Sequence, residues 1–106
     1  MAVCAKMRRK EPMITVIELA RTCFACPSQW EGTTDRGKYI YIRYRWGYLE
    51  VELAENENAW RFGHYQSIYD MQVGDDLDGS MGNRVLIELL DGIVKFDCEI
   101  AERMLN

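Results

Sequence analysis

The residues of this chain with the clearest chemical potential are Cys23-Phe24-Ala25-Cys26-Pro27. Two thiolates at Cys-x-x-Cys spacing can chelate zinc or cycle through a disulfide. A closed zinc site needs two more ligands, and the sequence offers Cys4, Cys98 and the single histidine, His64. None of these forms a second paired knuckle. A thioredoxin-like role wants the motif between a strand and a helix, and no helical pattern opens at Cys26. The reading drawn from spacing is of two small thiols packed under a sheet, with no metal and no cofactor. A zinc- or thiol-dependent module organised by Cys23 and Cys26 is the alternative.

Other chemistry finds less support. His64 has no orienting partner at a recognisable spacing, as general acid–base work requires. Asp75, Asp76 and Asp78 sit in a Gly-rich loop that lacks the alternating ligands and closing glutamate of a calcium loop. No phosphate-cradling loop and no Gly-x-Ser-x-Gly elbow are present. With no nucleophile–base pair, the chain is not expected to be an enzyme.

Tyr39, Tyr41, Arg43 and Arg45 alternate along one stretch and share a face. Aromatics interleaved with arginines can stack on bases, but Glu50 and Glu52 fall on the same face and repel phosphate. That composition also suits protein-binding surfaces. The candidate binding residues are therefore Tyr39, Tyr41, Arg43 and Arg45, with the acidic loop at Asp75, Asp76 and Asp78 as a second patch. The expected partner is a protein or protein complex, rather than nucleic acid.

The element that must position these residues is a hairpin over 38–53. Apolar and polar residues alternate on both sides of Trp46-Gly47. Folding about that dipeptide sets Tyr44 opposite Leu49, Ile42 opposite Val51 and Ile40 opposite Leu53. The other face pairs Arg45 with Tyr48, Arg43 with Glu50 and Tyr41 with Glu52. A slip of one residue would ruin both faces, so the register is strongly specified.

Around the hairpin, 13–20 reads as a first strand and 29–34 as a second. Residues 60–71 read as a fourth strand with a bulge at Gly63. Leu86, Leu89, Leu90, Ile93 and Val94 fall on a helical stripe, although Asp91-Gly92 is also a hairpin dipeptide. The stripe is read as a helix, with 98–105 as a short terminal one. The expected fold class is α+β: an antiparallel sheet of about four strands, a central hairpin at 38–53, and one or two C-terminal helices.

The 106 residues suffice for a single domain, 1–106, and 48% apolar content suits a globular core. No stretch is long and apolar enough for a membrane span, and the basic N-terminus lacks the apolar core of a secretory signal. The expected location is the cytoplasm, with reduced cysteines. Charge is split: residues 1–45 hold nine Lys/Arg against four Asp/Glu, and residues 46–106 hold four against thirteen. Such asymmetry is compatible with a charged partner, or with halves that interleave on folding.

Arg21-Thr22-Cys23-Phe24-Ala25-Cys26-Pro27-Ser28-Gln29-Trp30-Glu31-Gly32, followed by Tyr41-Ile42-Arg43-Tyr44-Arg45-Trp46-Gly47, resembles a pattern in small proteins of phages and bacterial mobile elements. The resemblance lies within residues 21–47, about a quarter of the chain. It implies no catalytic residues. It implies a setting in which small acidic proteins bind and inhibit a host protein, as anti-CRISPR proteins do.

Overall fold

The computed structural model describes residues 14–23, 28–74 and 80–102. Nine elements follow in order: β1 (Ile14–Cys23), β2 (Ser28–Thr34), β3 (Tyr39–Arg45), β4 (Tyr48–Ala54), α1 (Glu57–Arg61), β5 (Gln66–Gln72), α2 (Asn83–Leu89), β6 (Val94–Phe96) and β7 (Ile100–Glu102). The strands form one sheet in the order β5-β4-β3-β2-β1-β6, with β7 also paired to β1. Strands β1 to β5 run antiparallel, while β6 and β7 both run parallel to β1. Among the described residues no helix is long and apolar enough to cross a membrane.

This architecture corrects the expected four-stranded antiparallel α+β arrangement. The described residues are mostly β, a mixed sheet of seven strands with two short helices. The differences have local causes. The stripe at 86–94 does not stay helical: α2 stops before Leu90, and Gly92 takes φ 89°. The chain then turns out and lays Val94–Phe96 along β1, with Ile14 donating its N–H to Ile93 O at 3.3 Å. The expected helix over 98–105 is replaced by β7 at Ile100–Glu102; residues 103–105 lie outside the described residues. The expected fourth strand at 60–71 splits. The Asn56 side chain accepts from Ala59 N at 2.8 Å and caps α1, Gly63 at φ 84° ends that turn, and the strand begins only at Gln66.

The hairpin register is as the alternation requires: Ile40↔Leu53, Ile42↔Val51, Arg43↔Glu50 and Tyr44↔Leu49 are all paired. Trp46 and Gly47 both have positive φ, 56° and 76°, which makes a type I′ turn. That turn matches the right-handed strand twist. Tryptophan rarely occupies the left-handed region, and Trp46 is the one non-glycine residue there among those described.

The core lies on one face of the sheet. Val16, Trp30, Ile40, Ile42, Leu49 and Val51 are fully buried there, under Leu86 and Leu90 of the α2 segment. Gly32 is a steric necessity: a Cβ at this position would sit 1.9 Å from Glu18 O, where β1 bulges against β2.

Arg21 is buried on the same face, its guanidinium 5.0 Å from the Trp30 ring centroid. It donates to Met81 O at 2.6 Å and to Ser28 Oγ at 3.1 Å. Ser28 Oγ also accepts from Met81 N at 3.0 Å, and Asn83 Oδ1 accepts from Trp30 Nε1 at 2.9 Å. These bonds tie the start of α2 to β1 and β2. Burial lowers the Arg21 pKa from its ordinary value, against the opposing pull of Glu102 and Cys23.

Candidate functional site

The face opposite the core carries the residues singled out from sequence. Tyr39, Tyr41, Arg43 and Arg45 project from alternate positions of β3, as strand geometry demands. Their environments divide sharply. Helix α1 lies over the first two, with the Trp60 ring 5.5 Å from that of Tyr39 and 4.5 Å from that of Tyr41. Trp60 Nε1 donates to Glu52 Oε1 at 2.8 Å, and Tyr39 OH donates to Glu31 Oε1 at 2.9 Å. Tyr39 and Tyr41 retain only 9% and 8% of their exposure, so their rings are covered by this chain itself.

The phenols report that cover. Burial pushes the Tyr41 pKa up to about 12, the Arg43 cation pulls the other way, and Glu31, Glu52 and Glu50 add to the rise. Tyr39 is driven above its ordinary value by burial first and then by its bond to Glu31.

Arg43 and Arg45 remain at the surface. Arg43 Nη2 meets Glu50 Oε1 at 2.7 Å. Burial draws the Arg43 pKa down, but the hydrogen bond and charge of Glu50 outweigh it and the net direction is up. Arg45 is exposed, its guanidinium 5.8 Å from the Trp46 ring centroid. Asp75, Asp76 and Asp78 lie outside the described residues. Just before them in the chain, Val73 and Gly74 are anchored at the hairpin tip, donating to Gly47 O at 2.8 and 3.0 Å.

Three exposed aromatics were not singled out from sequence. Phe62, in the turn after α1, is 78% exposed; Tyr65 is 45% and Trp46 48% exposed. Tyr65 lines a shallow depression with Tyr41, Arg43, Glu52, Trp60 and Arg61, and Trp46 lines another with Arg43, Arg45 and Glu50. A third depression on the same side gathers Glu18, Glu31, Glu57 and Glu102 around Tyr39. Phe62 and Tyr65 fall within the strand expected over 60–71, which hides the helix end that exposes them. The signal that separates them is Asn56, a capping residue, three positions before Ala59, with Gly63 as the stop.

The thiols offer less. Cys23 ends β1 half-buried, and Cys98 packs at the core margin, where burial raises its pKa. Cys4 and Cys26 lie outside the described residues. His64 is exposed in the α1–β5 turn. Among the described residues no group of three or more His, Cys, Asp or Glu side chains is disposed to hold a metal.

Comparisons with family models, with curated proteins and with solved structures return no match in any of the three. The chemistry of the face must therefore be read from its own residues. It presents exposed aromatics, Tyr65 and Trp46, beside arginines in shallow depressions with mixed charge. Such a face can bury rings against another protein and set their orientation with guanidinium bonds.

Proposed function

We propose that this is a small cytoplasmic binding protein of a phage or mobile element that inhibits a host protein by occupying its surface, in the manner of an anti-CRISPR or other anti-defence inhibitor. The observation that carries the reading is Phe62. A phenylalanine held 78% exposed at a helix end contributes almost nothing to its own fold. It becomes favourable only when a partner covers it. Tyr65, in a depression with Arg43 and Arg61, and Trp46, in another with Arg43 and Arg45, are further exposed aromatics with arginine donors beside them. Tryptophan, tyrosine and arginine are the residue types that dominate binding hot spots.

The binding set is accordingly Phe62, Tyr65, Trp46, Arg43 and Arg45. Tyr39 and Tyr41 act beneath them as the floor on which Trp60 and α1 rest.

The experiment is capture from host lysate with the tagged chain, identification of the partner by mass spectrometry, and titration of that purified partner. Phe62→Ala should weaken binding by a factor of ten or more, about 1.4 kcal/mol. Arg45→Ala should weaken it less, and the complex should tolerate salt, because the anchors are apolar. If both variants bind as tightly as the parent, while charge reversal at Asp75, Asp76 and Asp78 abolishes binding, the aromatic face is the wrong surface. Turnover of a small molecule with no protein partner would refute the binding role altogether.

A further inference from the structure

A sheet has two edges, and this one treats them differently. Beside β1 the edge is broken into β6 and β7, three residues each, with exposed Lys95 and Glu102 on them. Short, charged, interrupted strands of this kind resist pairing with other chains. The far edge is β5, seven residues long, with no proline, no lysine and no arginine. Among the described residues no strand pairs with its outer side. A register shift interrupts its ladder with β4 between the partners of Val51 and Glu52, which leaves Tyr69 to Gln72 as the regular stretch.

The backbone phase of that stretch follows from its neighbours. The Val73 N–H points inward, donating to Gly47 O at 2.8 Å. Successive residues of an extended strand alternate, so the N–H and C=O groups of Asp70 and Gln72 point outward. Side chains alternate too. Met71 sits opposite Leu49 and Tyr69 opposite Val51, both on the core side of the sheet. Tyr69 and Val73 are half-buried against the core, and Met71 is 52% exposed. The core therefore ends at this edge in an open apolar row.

We infer that β5 pairs antiparallel with β5 of a second copy of this chain, about a two-fold axis through Met71. In that register Asp70 exchanges backbone hydrogen bonds with Gln72 of the second copy, and Gln72 does so with its Asp70. Met71 meets Met71 as the close, non-hydrogen-bonded pair, and Tyr69 meets Val73. The single charge of the strand, Asp70, never faces itself. An axis through Asp70 would appose two carboxylates, and one through Tyr69 would draw the interrupted stretch into the pairing. The contact continues the core across the axis and joins two seven-stranded sheets into one. Asp70 and Gln72 border the aromatic–arginine face, where Gln72 Nε2 donates to Trp46 O at 3.1 Å, but Tyr69, Met71 and Val73, which form the apolar contact, lie on the core side, so Met71→Lys tests the pairing without altering that face. Four strand residues bury less than the about 1,200 Å² of a standard stable complex, so the dimer is weak and concentration-dependent.

Sedimentation velocity of the full chain, from about 10 μM to about 1 mM, tests this. The weight-average mass should climb from monomer toward dimer across that range. Met71→Lys places two ammonium groups across the axis and should raise the dissociation constant at least tenfold, while its exposed position leaves the circular dichroism unchanged. Gln72→Pro removes an outward N–H and should have the same effect, whereas Met71→Leu should still dimerise. A parent chain that stays monomeric to about 1 mM overturns the inference. So does a dimer that survives both Met71→Lys and Gln72→Pro.

Discussion

Replacing Trp60 by alanine would remove the ring that covers Tyr39 and Tyr41. Two tilted ring contacts at 5.5 and 4.5 Å are lost, each contributing about 0.5–1.5 kcal/mol beyond area. The indole bond to the Glu52 carboxylate goes as well, a charge-assisted bond of about 1.5 kcal/mol at the lower end because Trp60 is only half-buried. Water can reach Glu52 afterwards and recover part of that. The expected loss is about 2–3 kcal/mol, below the about 3–5 kcal/mol of a fully buried Trp→Ala change. Helix α1 is five residues long and cannot persist unsupported, so the segment that presents Phe62 should fray with it. Urea melts followed by circular dichroism give the stability change. Ultraviolet titration of the phenols gives the second readout: the Tyr41 pKa should move from about 12 back toward 10.0. Arg61→Ala, which cuts only an exposed pair with Glu57 in the same helix, is the control and should be nearly silent. A Trp60→Ala chain within about 0.5 kcal/mol of the parent, with its tyrosine titration unmoved, would refute the idea that α1 is held by this stack.

Ile42→Ala, at a fully buried position, should cost about 2–4 kcal/mol in the same melts, whereas Arg43→Ala on the opposite face should cost about 0–1 kcal/mol. Equal losses from the two would contradict the assigned faces. Gly32→Ala should reach the top of the about 1–3 kcal/mol range for overpacking, because the obstructing atom at 1.9 Å is backbone and cannot rotate away; an unchanged melting temperature would mean that β1 and β2 are not in this register. For Tyr41 the folded pKa, about 12, lies above the unfolded value of 10.0, so its burial stabilises the fold fully below pH 10 and that contribution is lost as pH rises through 12. Stability measured across that window should fall, and fall less steeply in Trp60→Ala.

The hairpin was legible because everything that specifies it is local. Alternation from Tyr39 to Leu53 admits one register, and Gly47 supplies half of the turn. The C-terminal part was not legible, because a stripe such as Leu86, Leu89, Leu90, Ile93 and Val94 is equally a short helix followed by a strand. What selects the second is β1, far away in the chain, whose open edge takes up Val94–Phe96. The candidate site failed in a related way. Alternation placed Tyr39 and Tyr41 correctly on the face away from the core, but it cannot say that Trp60 folds back over them. Nor does any periodicity announce that Arg21 is buried: that depends on Ser28, Met81 and Asn83 meeting around one guanidinium.

The parallel pairing of β6 and β7 with β1 has a consequence for how the chain comes to be folded. Strands β2 to β5 form a meander whose partners are consecutive, so each can close soon after it leaves the ribosome. Strand β1 has no such freedom on its second side. Ile14 must wait for Val94, and Leu19 for Ile100, with nearly all of the described chain between them. Closing that distance costs more chain entropy than closing any of the hairpins, so this pairing is expected to follow the meander. The arrival of two strands of three residues therefore works as a latch: until it engages, one long strand of the nascent protein stands half-paired and open to association with other unfinished chains.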